Sequence, residues 1–241
     1  MDSGTRGPVL RVRGLKKRFD GRQAVDDVSF EVPAGSVLGL LGPNGAGKTT
    51  TFLCLCGLLR PDGGTIAFAG KTLDSERGRT ISLIPETPEC FPMLTVWEHL
   101  LFVARSVNLA AGWHVRAGAL LERFGLGEVR DALGQSLSKG MRQKTLIAAT
   151  VLAGAPVLLF DEPMIGLDPR GQRELRELIV ALAAEGRAVL LSTHQIETAE
   201  ALCDRVAIMK GGRTIATGAP GELRGSGAAR SLEDAFLEIT A

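Results

Sequence analysis

Residues 42–49 read Gly42-Pro43-Asn44-Gly45-Ala46-Gly47-Lys48-Thr49. A short apolar run, Ser36-Val37-Leu38-Gly39-Leu40-Leu41, leads into them, and Thr50-Thr51-Phe52-Leu53-Cys54-Leu55 leads out. The first stretch has the character of a buried strand and the second continues as a helix. Strand, glycine loop, Gly-Lys-Thr and helix form the arrangement in which backbone N–H groups wrap around nucleotide phosphates. The glycines permit positive φ and close approach, because a Cβ there would strike the phosphate or strain the turn. Lys48 is placed to reach the β- and γ-phosphates, and the Thr49 hydroxyl to hold Mg2+. A glycine-rich turn alone is a common connection. The full eight-position pattern between strand and helix predicts a nucleotide site.

Composition bounds what such a site can serve. The chain has 241 residues, enough for one generous domain with its own core, and a formal net charge of +1. That balance gives no electrostatic reason to expect nucleic acid or an anionic membrane as partner. The first residues, Met1-Asp2-Ser3-Gly4-Thr5-Arg6-Gly7-Pro8, lack the apolar centre of a secretory signal. The nearest thing to a membrane span, residues 151–160, is cut by Gly154 and Pro156, so the chain is expected to be soluble in isolation. The four cysteines, Cys54, Cys56, Cys90 and Cys203, have no spacing suited to a metal and read as buried, reduced thiols. His99 and His114 match no motif and are expected to be exposed.

Hydrophobic periodicity changes along the chain. Residues 9–12 and 24–32 alternate as strands do, and 65–68 followed by Ala69-Gly70-Lys71 suggest a hairpin. Residues 96–107, 115–124 and 139–152 have helical period. Alternation then returns, with strands at 157–160 and 188–192, helices at 171–185 and 196–203, and a strand pair at 206–209 and 214–217. An α/β core interrupted by a helical insert fits this order. Residues 225–229 suggest a flexible link to a last helix at 231–239.

Val157-Leu158-Leu159-Phe160-Asp161-Glu162-Pro163 is an apolar strand ending in two carboxylates. Alone it would read as a solvated acidic turn. Downstream of a phosphate loop, Asp161 is expected to hold the metal and Glu162 to polarise a water for attack on the γ-phosphate. Leu137-Ser138-Lys139-Gly140-Met141-Arg142-Gln143-Lys144 opens a long helix, for which Ser138 is a good N-cap.

These last residues resemble the signature of ATP-binding-cassette (ABC) ATPases, commonly Leu-Ser-Gly-Gly-Gln. Leu137, Ser138 and Gly140 match, whereas Lys139 and Met141 depart from it. The resemblance extends along nearly the whole chain. It covers the phosphate loop through Thr50, the strand ending at Glu162, the Gly166-Leu167-Asp168-Pro169 loop that crosses between subunits, and His194 as the switch histidine. Phe19 is similar to the aromatic residue that stacks on adenine. The implied fold class is α/β: a P-loop NTPase core with mixed β-sheet, an antiparallel β subdomain and an inserted α-helical subdomain. One domain would span 1–241, with the core at about 9–87 and 155–222, the helical subdomain at 88–154 and a tail at 223–241. The resemblance implies ATP and Mg2+ as ligands and a head-to-tail dimer with a second copy or a paralogous cassette. Ser138 and Gly140 of one chain would then cover the ATP held by Lys48 and Thr49 of the other.

Glu86 stands where the family usually has a glutamine that touches Mg2+ and relays to the membrane partner. A carboxylate there is expected to keep the metal-sensing role and bind the ion more strongly. Glu86, Lys139-Gly140-Met141 and the run at 231–239 are similar to cassettes of bacterial export systems for drugs, ions or antibiotics. The expected partner is a separate integral-membrane permease subunit docking near residues 86–100, with the chain peripheral on the cytoplasmic face of the membrane. A soluble cassette acting on nucleic acid or the ribosome is the alternative. Residues 50–135 leave no room for a long coiled coil, however, and the chain carries one phosphate loop, so no nucleic acid is expected. A regulatory module with little turnover is disfavoured by Glu162 and His194.

Overall fold

The computed structural model describes residues 8–73, 77–87, 89–224 and 231–240; the link expected at 225–229 lies outside them. The chain divides into two compact units. One takes in the chain up to Leu83, Pro156–Glu162, and Ile179 onward; the other takes in Ile84–Ala155 and Pro163–Leu178.

The first unit is built on a mixed sheet. Strands β1 (Pro8–Phe19) and β2 (Arg22–Pro33) form an antiparallel hairpin closed by Asp20-Gly21. Both turn residues have positive φ, the geometry that an Asp-Gly pair favours. Strand β3 (Val37–Leu41) leads to α1 (Lys48–Leu55). Strand β4 (Gly63–Phe68) pairs antiparallel with β1, and β5 (Lys71–Thr72) with β4. The short α2 (Arg77–Thr80) precedes β6 (Ile81–Ile84), at the opposite edge of the sheet beside β7 (Val157–Asp161).

The centre of the sheet is parallel. Strand β3 lies between β8 (Ala188–Thr193) and β9 (Arg205–Lys210), and β7 continues the parallel set beyond β8. All residues of β3, β7 and β8 are buried, which is why their sequences are nearly unbroken apolar runs. Strand β10 (Arg213–Gly218) turns back antiparallel to β9 and meets β2 in parallel at Arg213 and Asp27. Helix α1 buries Phe52 and Leu55 among Leu38, Leu40, Val157 and Leu159. Helices α7 (Ile196–Leu202), α8 (Pro220–Leu223) and α9 (Leu232–Thr240) complete this unit.

The second unit is helical. Helix α3 (Val96–Ser106) opens with a capping box, in which the Glu98 N–H donates to Thr95 Oγ1 at 3.1 Å and the Thr95 N–H to Glu98 Oε2 at 2.8 Å. Helix α4 (Trp113–Arg123) follows, then α5 (Lys139–Ala153), which ends at Gly154 with φ 80°. Helix α5 packs against α3 and α4, with Leu100, Leu121, Ile147 and Leu152 in the interior. Helix α6 (Pro169–Ala184) starts from Asp168, whose Oδ1 accepts the Gly171 N–H at 2.8 Å; the division between the units falls within α6. No helix among the described residues is long and apolar enough to cross a membrane.

Two expectations change here. His114 is exposed, but His99 is buried. Its Nε2 accepts the Phe91 N–H at 2.9 Å, which fixes Nδ1 as the protonated nitrogen, 2.7 Å from the Thr95 carbonyl. Both partners are backbone groups satisfied by a neutral ring. Of the cysteines, all free, Cys54 and Cys203 are buried, and burial pushes their thiols up to about 11 and about 12. Cys56 and Cys90 are only partly buried.

Candidate nucleotide-binding site

The loop leaving β3 turns through Gly45 and Gly47, at φ 79° and 98°, with a bond from the Ala46 N–H to the Pro43 carbonyl at 3.1 Å. The packing adds its own reason for glycine. A Cβ on Gly47 would lie 2.6 Å from the Ala24 carbonyl oxygen of β2, and one on Gly42 2.5 Å from the Met209 carbonyl oxygen of β9. The loop is thus pressed against the protein's own backbone, quite apart from any ligand. Gly47→Ala is expected to destabilise the protein by about 1–2 kcal/mol from the left-handed backbone alone, with a further loss from the clash. Urea unfolding measures it, and an unchanged midpoint would contradict this account of the turn.

In α1 the first intrahelical bond runs from the Thr51 N–H to the Gly47 carbonyl at 2.9 Å. The amides of Lys48, Thr49 and Thr50 therefore have no acceptor within the helix, and they point out of its positive end. Pro43, Asn44, Gly45 and Thr49 are exposed at this opening, and Thr50 is half-buried. Lys48 is buried, its ammonium donating to the Gly42 carbonyl at 2.7 Å and lying 3.6 Å from Glu162 Oε1.

The carboxylates come from the end of β7. Asp161 sits opposite Ser192 in the β7–β8 register, and the Ser192 hydroxyl donates to Asp161 Oδ1. The next residue, Glu162, takes φ +44°, a conformation that costs a residue with a Cβ about 1–3 kcal/mol. Its N–H compensates by reaching both Ser192 Oγ, at 3.0 Å, and the Ser192 carbonyl, at 3.2 Å. This turn of the backbone directs the Glu162 side chain back toward Lys48. His194, just past β8, places Nδ1 3.0 Å from the same Oε1 atom. Since a carboxylate only accepts, a neutral His194 donates through Nδ1–H and leaves Nε2 as an acceptor. One carboxylate oxygen therefore joins the loop lysine to the histidine.

Phe19 is exposed at the end of β1, with the Lys17 ammonium 5.4 Å from its ring centre. Glu86, Ser138 and Gly140 belong to the helical unit. Glu86 is exposed in the turn after β6, and Gly140 is half-buried. Ser138 is exposed and its Oγ accepts the Met141 N–H at 3.2 Å, so it does cap α5. Of the buried polar residues that the sequence reading passed over, two bond to residues 161–163. Ser192 is one; its signal was a hydroxyl inside an otherwise apolar strand. Gln143 is the other, donating through Nε2 to the Pro163 carbonyl at 2.5 Å.

The oxygen donors suit a hard divalent cation in small number. Within the first unit, Asp161 and the Thr49 hydroxyl are the candidate protein oxygens. Among the described residues no group of three or more His, Cys, Asp or Glu could hold a metal ion. That combination fits Mg2+, which keeps waters and shares phosphate oxygens, rather than a cation enclosed by protein.

A strand, a glycine loop, a helix start and a strand-end carboxylate pair now stand in one unit with these contacts. The family model for ABC transporters matches residues 25–165. The chain belongs to that family. It is 41% identical over 222 residues to the daunorubicin/doxorubicin resistance ATP-binding protein DrrA of Streptomyces peucetius, covering 90% of this chain and 67% of the relative. It is 36% identical over 219 residues to the lipopolysaccharide export system ATP-binding protein LptB of Haemophilus influenzae, covering 88% and 91%. Among solved structures, an ATP-binding subunit of an ABC transporter superposes with a TM-score of 0.90 at 34% identity, covering 97% of this chain and all of that one. The structure of cbiO1 from Clostridium perfringens, part of the ABC transporter complex cbiONQ, gives 0.77 at 31% identity, covering 90% of each chain. The fold is accordingly that of an ABC ATPase cassette, a P-loop NTPase with a mixed sheet. Its curated relatives include ATP-binding proteins of export systems.

Proposed function

We propose that this chain is the ATP-hydrolysing subunit of an ABC export system. One observation carries the chemistry: the Glu162 carboxylate is held buried between Lys48 and His194, beside the open amides of α1. In this reading the amides of residues 45–50 and the Lys48 ammonium take the phosphates, and Phe19 stacks on adenine. Thr49, Asp161 and Glu86 hold Mg2+, which offsets charge on the β- and γ-phosphates when bound. Glu162 polarises a water for attack on the γ-phosphorus and takes its proton, while the β–γ bridging oxygen leaves with ADP. His194 contacts the γ-phosphate.

The second half of the site comes from another copy. This chain has both halves, so two copies related head to tail are self-complementary. Ser138 and Gly140 start α5, and the positive end of that helix would close over the γ-phosphate of the partner. ATP then completes an interface that hydrolysis dissolves, converting a binding cycle into opening and closing. Export as the direction follows the names of the relatives, among them drug resistance and lipopolysaccharide export. The pore is a separate membrane subunit engaging the helical subdomain, residues 88–154, near residues 86–100, which makes the chain peripheral to the membrane. The test is release of phosphate from ATP by the purified chain, with and without Mg2+; absence of turnover with Mg2+ and ATP at millimolar concentration contradicts the reading.

Glu86 supplies a separate prediction. With a carboxylate in place of the family's glutamine, Glu86→Gln is expected to raise the Mg2+ concentration for half-maximal turnover several-fold, and Glu86→Ala more, by about tenfold. Titrating Mg2+ at saturating ATP measures both. If neither variant changes the rate or the Mg2+ dependence, Glu86 does not sense the metal.

A further inference from the structure

We propose that Ser192 is a positioning residue that sets both carboxylates of the site through one hydroxyl; this rests on reading Asp161 as the metal acid and Glu162 as the water-polarising base. Ser192 is fully buried in β8, directly across the parallel ladder from Asp161. Its Oγ donates its proton to Asp161 Oδ1 and accepts the Glu162 N–H at 3.0 Å. A serine hydroxyl has one proton and two lone pairs, so both bonds can be made at once, and each requires the other's direction. The donated proton ties down Asp161 Oδ1 and so fixes the rotation of that carboxyl group. The lone pair, with the Ser192 carbonyl at 3.2 Å, holds the amide of a residue at φ +44°.

An alanine here would remove neither strand pairing nor volume of consequence. It would leave Asp161 without its donor and Glu162 held by the carbonyl alone. Hydroxyl partners of metal-site carboxylates typically matter by about tenfold or more in metal affinity or rate. Ser192 is therefore neither a metal ligand nor a contact of the nucleotide, yet it governs the groups that are.

The experiment titrates Mn2+ against the protein with saturating ADP, followed by electron paramagnetic resonance, for wild type, Ser192→Ala, Ser192→Cys and Asp161→Asn. A fluorescent ADP analogue in EDTA gives nucleotide affinity without metal, and phosphate release gives kcat. The expected result is Mn2+ affinity about tenfold weaker in Ser192→Ala, in the direction of Asp161→Asn, with Ser192→Cys between. Metal-free ADP affinity stays within about twofold of wild type, because Lys48 and the loop amides are untouched, and kcat falls by about tenfold. A purely packing role would lower stability while leaving the Mn2+ affinity of the folded protein at the wild-type value. Mn2+ affinity within about twofold of wild type in both serine variants overturns the assignment; Ser192→Cys, nearly isosteric, decides it should the alanine variant fail to fold. Wild type that binds no ADP would overturn the nucleotide reading instead.

Discussion

Glu162→Gln is expected to keep ATP binding and to lose hydrolysis by roughly a thousandfold, the middle of the range for removing a positioned general base. The amide keeps the length of the side chain and can still accept from His194 Nδ1–H. It cannot take a proton from water at neutral pH. It also removes a negative charge 3.6 Å from the Lys48 ammonium, within a buried pair. That charge competes with phosphate for the same cation, so the variant should bind ADP at least as tightly as wild type. Phosphate release under multiple turnover, paired with equilibrium titration of a fluorescent ADP analogue, separates the two effects. Near-wild-type turnover would remove Glu162 from the chemistry, and weakened ADP binding would show that it supports the phosphate site instead of competing for it.

Lys48→Ala is expected to act on binding. The ammonium is buried and satisfied by the Gly42 carbonyl, with the Pro43 carbonyl at 3.4 Å and Glu162 as further neighbours. Substituted by alanine, the site loses the cation that meets the β- and γ-phosphates. A hydrogen bond to a charged group contributes about 1.5–3 kcal/mol, so nucleotide affinity should fall by roughly 10- to 150-fold. The same substitution leaves the Glu162 carboxylate facing the loop without its neutralising partner, which adds repulsion of incoming phosphate. Titration with a fluorescent ATP analogue decides the matter; an unchanged dissociation constant would mean that phosphate is held elsewhere.

Much of this was legible because the decisive residues combine local rules. The loop was readable from glycines at fixed positions between an apolar run and a helix start, and β3, β7 and β8 from apolar runs of strand length. What escaped depends on pairing between distant segments. Ser192 has meaning only because the β7–β8 register sets it against Asp161, 31 residues away in sequence. Glu162 precedes Pro163, a position biased toward extended backbone, and nothing local announces φ +44°. The ring of the buried His99 is satisfied by the backbone N–H of Phe91, outside any helix, a partner that its own helical surroundings do not announce. Of the loop glycines, Gly45 and Gly47 take the positive φ the sequence led one to expect, whereas the crowding of Gly42 and Gly47 by carbonyls of β9 and β2 had no local signal.

In the proposed cycle, residues 42–49 form half of an ATP site whose other half lies on a second chain. Light scattering on Glu162→Gln during size-exclusion chromatography tests it most directly, run with ATP, with ADP and with ATP plus the added substitution Ser138→Arg. The prediction is twice the mass of one chain with ATP, and the mass of one chain with ADP or with Ser138→Arg present. A single-chain mass under every condition, or a dimer indifferent to both ATP and Ser138, would contradict it.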